Sequence, residues 1–219
     1  MQFRHIGKTA SVPNQRAKSS LILIALLAAG AASAGSFDGN VVVQWPAGDT
    51  SGRRLQLLAD FTFIDDRGKQ WLAPKGHVAN GSSVPPLFRA LFGQPFDGPW
   101  RRASMVHDYA TRSLAEPWRE VHRMFYDAAV AAGVSEADAR LMYLAIYAQG
   151  PRWEVRGSSC YRGCHAAAES LTWKPVASEA ELRSVIEWID ASSPALDEID
   201  QRANEAIKRP GPHLFAQGH

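Results

Sequence analysis

The chain predicts an α+β fold: a small β-hairpin or sheet packed on a three-helix core, with a helical extension at the C-terminal end. Three observations predict it. Period-two alternation in residues 55–64 and 69–73 brackets Asp65-Asp66-Arg67-Gly68, which has the chemistry of a tight turn. Three consecutive segments between Trp100 and Gly150 then carry apolar residues at helical spacing. After a break, residues 178–189 and 195–208 return to a helical pattern.

The elements follow in order. Residues 41–45 (Val-Val-Val-Gln-Trp) make a short strand. Residues 55–64 make a second, with Phe61 and Phe63 on one face and Thr62 and Ile64 on the other. Residues 69–73 return as its hairpin partner, ended by Pro74-Lys75-Gly76. Residues 80–86 are turn-rich, 87–92 form a short apolar helix, and 93–99 form a loop with two glycines and two prolines.

A helix over 100–113 places Ala103, His107, Ala110 and Leu114 on an inward stripe, with Ser104, Asp108, Thr111 and Arg112 on the adjoining polar face. The second helix starts at Glu116-Pro117, buries Val121, Met124, Phe125, Ala128 and Ala132, and stops at Gly133. Ser135 to Asp138 resembles a capping box and opens a third helix through Leu141, Leu144, Ala145 and Ala148 to Gly150-Pro151.

The first 34 residues read as a secretory signal. Arg4, Lys8, Arg16 and Lys18 give a basic start without an acidic residue, Leu21 to Ala29 is apolar but too short to span a bilayer, and Ala32-Ser33-Ala34 is a small-residue cleavage site. A retained membrane anchor is the alternative. The expected organisation is a signal over 1–34, an α+β His-Asp domain over 35–153, a helical extension over 154–209 and a disordered tail over 210–219. The expected location is periplasmic or secreted, with no integral membrane span after signal removal.

The whole chain carries 24 Lys+Arg and 22 Asp+Glu; all four basic residues of the signal leave with it, so the remainder is slightly acidic. No basic stripe stands out, and nucleic acid is excluded as a partner. Cys160 and Cys164 are the only cysteines, and an oxidising compartment favours a disulfide between them. Zinc held by Cys160, Cys164 and His165 needs a further ligand from elsewhere.

The chemistry concentrates at His107-Asp108. Histidine exchanges protons near neutral pH, and an adjacent residue on a helix points about 100° away, so the two side chains have separate jobs. One reading makes His107 a general base and Asp108 a metal ligand. A second lets His107 and His122 face one another across antiparallel helices and, with Asp108 or Asp97, hold zinc that activates a water. A third uses Ser82 or Ser83 as a nucleophile with His107 as base. The bland reading of His107 is a buried histidine bonded to backbone; that of Asp108 is a surface carboxylate or a partner of Arg101, Arg102 or Arg112. The four tryptophans at 71, 100, 118 and 153 are packing residues, or the lining of a glycan groove.

Residues 61–153 resemble a phage and bacterial family, domain-of-unknown-function family 1353. Asn80-Gly-Ser-Ser-Val-Pro85, Val106-His-Asp-Tyr109, Arg119-Glu-Val-His-Arg-Met-Phe125 and Met142-Tyr-Leu-Ala-Ile-Tyr-Ala-Gln-Gly150 follow its motifs in order. The resemblance implies a hairpin followed by three helices and brings no established activity. The expected catalytic positions are His107, Asp108 and His122, with Asn80, Ser82, Ser83 and Tyr109 as substrate-binding positions; the alternative role of residues 80–85 is structural, since Asn and Gly support turn angles and Pro85 fixes the exit. The resemblance also expects carboxylates where Asn80 and His122 stand. Over about twenty residues the His-Asp helix is similar to the active helix of secreted phospholipases A2. That likeness implies His107 as base and Asp108 as calcium ligand, with the orienting carboxylate missing near His122.

Together these readings predict an exported, metal-assisted hydrolase acting on lipid or peptidoglycan of the envelope, with calcium or zinc as the cofactor. The alternative is a non-enzymatic, phage-derived structural or accessory envelope protein.

Overall fold

A computed structural model describes residues 35–81, 84–155, 170–173, 176–177 and 179–208. The chain divides into a unit of residues 1–31 and one of residues 32–219, and the described residues all belong to the second. The expected signal, the cysteine pair and the tail beyond 208 lie outside them.

The domain is α+β. Its strands are β1 (Ser36–Asp38), β2 (Val43–Gln44), β3 (Leu55–Leu57), β4 (Phe61–Ile64), β5 (Gln70–Ala73) and β6 (Val78–Ala79). Helices α1 (Pro86–Phe92), α2 (Arg101–Ser113), α3 (Trp118–Ala131) and α4 (Glu136–Gln149) follow. Then come β7 (Arg152–Val155), β8 (Ser170–Trp173), β9 (Val176–Ala177), α5 (Glu179–Ser192), α6 (Leu196–Ala206) and β10 (Ile207–Lys208).

The expected hairpin is β4–β5, in antiparallel register with Phe61 opposite Ala73 and Ile64 opposite Gln70. Its turn is held by Asp65, whose Oδ1 accepts from the backbone N–H of Arg67 and of Lys69. The long strand expected over 55–64 is two strands in two sheets, β1-β4-β5 and β2-β3-β6. The chain bends at residues 58–59, and the Asp60 carboxylate accepts from the Lys75 N–H at 2.7 Å, which redirects the backbone between sheets. Phe61 and Phe63 are wholly buried against the helices. Each such side chain contributes about 2–3 kcal/mol relative to exposure.

Pro117 lies one position outside α3 and Ser135 caps α4, its hydroxyl accepting from the Asp138 N–H at 3.1 Å. The extension is more than helical, because β7–β8 and β9–β10 add two short ladders. A second apolar cluster joins α4 to α5 and α6 through Tyr143, Leu144, Tyr147, Leu182, Val185, Ile189 and Ile199. The Tyr143 hydroxyl donates to Asp200 at 2.6 Å, and Arg123 pairs with both Asp197 and Asp200. Among the described residues no helix is long and apolar enough to cross a membrane.

Candidate functional site

Helix α2 is covered on two flanks. One packs on α3 and the other on β5 and β6. This alters the expected polarity of the helix: Ser104, Asp108 and Thr111, placed on a polar face by their residue types, are buried beside the expected stripe of Ala103, His107 and Ala110. Binary patterning misreads that flank because a sheet edge lies over it.

His107 and His122 meet between α2 and α3. His107 Nε2 lies 3.1 Å from His122 Nδ1, and His122 Nε2 lies 3.1 Å from the Pro151 carbonyl oxygen. A carbonyl only accepts, so His122 Nε2 carries the proton. Burial drives His122 well below the usual imidazole range, with His107 and Arg152 adding to the effect. It is therefore neutral, its Nδ1 is a bare acceptor, and His107 Nε2 must donate to it. Burial also lowers His107 to about 4, with Asp108 opposing. Both rings are 0% exposed and are walled by Phe125, Trp118 and Trp153. Gly150 sets the end of this chain of bonds: a Cβ there would run into the Ile146 carbonyl oxygen, so only glycine lets the backbone turn and bring the Pro151 carbonyl to the ring.

Asp108 turns its Oδ2 the other way, toward His77 and Arg112. Its Oδ2 accepts from His77 Nε2 at 3.1 Å and from Arg112 Nε at 3.0 Å. Arg112 Nη2 donates to Asn80 Oδ1 at 2.6 Å. Tyr109 sets its ring edgewise on His77, centroids 5.2 Å apart. The network His77–Asp108–Arg112–Asn80 thus joins α2 to the residues that flank β6, His77 before it and Asn80 after it. Asp108 thus holds the His77 ring through Nε2, the nitrogen turned toward α2.

The predicted residues therefore separate into two groups. His107 and His122 form a closed pair with no face open to bulk solvent. Asp108, Tyr109 and Asn80 gather around His77, which sequence reasoning missed. Its position after the hairpin, just before a two-residue strand, gives no periodic signal; the turn Pro74-Lys75-Gly76 before it was the one cue. Ser82 and Ser83 lie outside the described residues, as do Cys160 and Cys164. Asp97 is exposed on the loop before α2. The expected set of His107, His122 and a carboxylate is not brought together, because Asp108 turns to His77. Among the described residues no group of three or more His, Cys, Asp or Glu is arranged to hold a metal ion. His107 also lacks the water-accessible nitrogen that a phospholipase-like base needs.

A cleft of about 620 Å3 lies elsewhere, at the start of α3, lined by Arg67, Trp118, Arg119, Arg123, Asp197 and Asp200. Its Arg119 and Arg123 already face Asp200 at 3.6 and 2.8 Å.

Fold and site define an α+β domain whose central helix serves two neighbouring polar clusters, one buried and one at its edge. Residues 55–146 match the family described as "Protein of unknown function (DUF1353)", as the motifs implied. The chain is similar to two proteins of Sinorhizobium fredii (strain NBRC 101917 / NGR234). "Uncharacterized protein y4iH" is 37% identical over 118 residues, covering 53% of this chain and 48% of the relative. "Uncharacterized protein y4jT" is 37% identical over 114 residues, covering 50% of this chain and 34% of the relative. The match thus spans about half or less of the relatives' length. No solved structure matches the chain.

Proposed function

We propose that this is an exported hydrolase of the periplasm or cell exterior in which His77, oriented by Asp108, is the general base. The observation that carries the reading is the buried carboxylate of Asp108, 1% exposed at its side chain, holding His77 Nε2 at 3.1 Å. A base needs an orienting partner on one nitrogen and a lone pair on the other; Asp108 is the first for His77, and Nδ1 would supply the second. His77 Nδ1 would take a proton from water as the water oxygen attacks an ester or amide carbonyl; the same proton would pass to the leaving group. Asn80 is tied to the dyad through Arg112. Ester or amide bonds of lipid or peptidoglycan suit an exported protein. The role given to His107 by its sequence position thereby moves to His77, and His107 becomes a structural residue.

The test is hydrolysis of ester and amide probes by the full chain and by His77→Gln. Loss of turnover with little change in melting temperature supports the reading. Turnover unchanged in the variant overturns it. A second reading, an accessory protein without turnover, is favoured by the sharing of Asp108 Oδ2 with Arg112, which makes the same network a clamp between α2 and the residues flanking β6. That reading expects His77→Gln to lower stability and no probe to be turned over.

A further inference from the structure

Three buried polar atoms on α2 are without a hydrogen-bond partner: Ser104 Oγ, His107 Nδ1 and Asp108 Oδ1. Their side chains are at least nine-tenths buried, since the residues are 2%, 0% and 1% exposed. They also share one turn. Ser104 lies three residues before His107 and four before Asp108, which puts their Cβ atoms about 5–6 Å apart. Side chains on a helix lean toward its N-terminus, so His107 and Asp108 both lean back over Ser104.

The hydrogen count selects the ligand. The bonds from His107 through His122 to Pro151 leave His107 Nδ1 with a lone pair and no proton. Asp108 Oδ1 is a second acceptor. Ser104 offers one hydrogen and cannot serve both. A buried acceptor left bare costs about 1–3 kcal/mol, so two hydrogens have to come from elsewhere. We propose that Ser104, His107 and Asp108 form a binding site for one buried water molecule. It donates to His107 Nδ1 and to Asp108 Oδ1 and accepts from the Ser104 hydroxyl, which gives it the three partners typical of an internal water. A divalent cation would meet the same three atoms, but Asp108 already shares its charge with Arg112. Two positive charges would then remain uncompensated in a dry interior, which is costly.

The water joins the two clusters. A continuous line of hydrogen bonds then runs from His77 through Asp108, the water, His107 and His122 to the Pro151 carbonyl. Ser104 acts in it as a positioning residue. The site does not require His77 to be a catalyst, so it stands or falls independently of the proposed function.

The test uses the full chain with Ser104→Ala and Ser104→Val, and a high-resolution crystal structure of the wild type. Alanine leaves the water two of its partners, whereas valine fills its place and strands both acceptors. The expected order of melting temperatures is wild type, then Ala, then Val, with wild type unmoved by EDTA or zinc. The crystal structure should show one light peak at about 2.7–3.2 Å from all three atoms. Three outcomes would overturn the proposal: an empty site, a valine variant as stable as the alanine variant, or an anomalous metal peak matched by a zinc-dependent melting shift.

Discussion

Acid should weaken this fold through His107, and the size of the effect follows from its burial. His107 stands at about 4 against an ordinary 6.5. Because its folded-state value is the lower one, the unfolded chain takes up the proton first. The stabilisation from keeping the ring neutral is complete above pH 6.5 and drains as pH falls from 6.5 to about 4. At 1.36 kcal/mol per pH unit the whole loss is about 3 kcal/mol, of which about 2 kcal/mol is gone at pH 5. His122, shifted in the same direction, adds to it. Asp127 works the other way: burial raises it to about 6, so the folded state gains stability as pH falls from 6 toward 3.8. A difference measurement removes that contribution. His107→Gln keeps a donor for His122 Nδ1 and does not titrate. Urea unfolding at pH 7.5 and 5.0 should show the stability advantage of wild type over this variant shrinking by about 2 kcal/mol at the lower pH. Parallel stability curves would refute the reasoning, since they would mean His107 is protonated in the folded state as readily as in the unfolded one.

His122→Asp restores the carboxylate that the family resemblance expects, and a negative charge beside His107 should raise its pKa above 4, read by NMR titration of the ring. Asp127→Asn should stabilise the protein at pH 7 by about 3 kcal/mol, a gain that fades by pH 4 because the native carboxyl is then neutral as well. Tyr143→Phe removes the 2.6 Å bond to Asp200 and should cost about 1–2 kcal/mol, with faster amide exchange across α6 as the direct readout.

The hairpin and the three central helices were legible because each combines a clear period with a clear stop: Asp65-Asp66-Arg67-Gly68 between alternating strands, Gly133 after α3, Ser135 before α4. What failed to show was tertiary. Nothing local marks residues 58–59 as the point where one apolar stretch passes from sheet to sheet; the bend depends on Asp60 meeting the Lys75 N–H, fifteen residues away. The site was half legible for the same reason. The 100° between His107 and Asp108 correctly implied different partners, and His122 proved to be one of them. The other partner, His77, stands just before a two-residue strand, where its carbonyl accepts from the Leu57 N–H at 2.9 Å, and only that pairing with β3 sets its place. The two positions expected to be acidic show how a charge can be lost while geometry survives. Asn80 still offers an oxygen to Arg112, and His122 still offers an acceptor to His107.

The central claim is a division of labour on α2: Asp108 serves His77 in chemistry, while His107 and His122 serve the core. It is tested most directly by measuring probe hydrolysis and melting temperature side by side for His77→Gln and His107→Gln in the full chain. The account predicts that the His77 variant loses turnover and keeps its melting temperature, and that the His107 variant melts earlier while its folded fraction still turns over. A His107 variant that stays fully folded yet inactive, beside an active His77 variant, would contradict it.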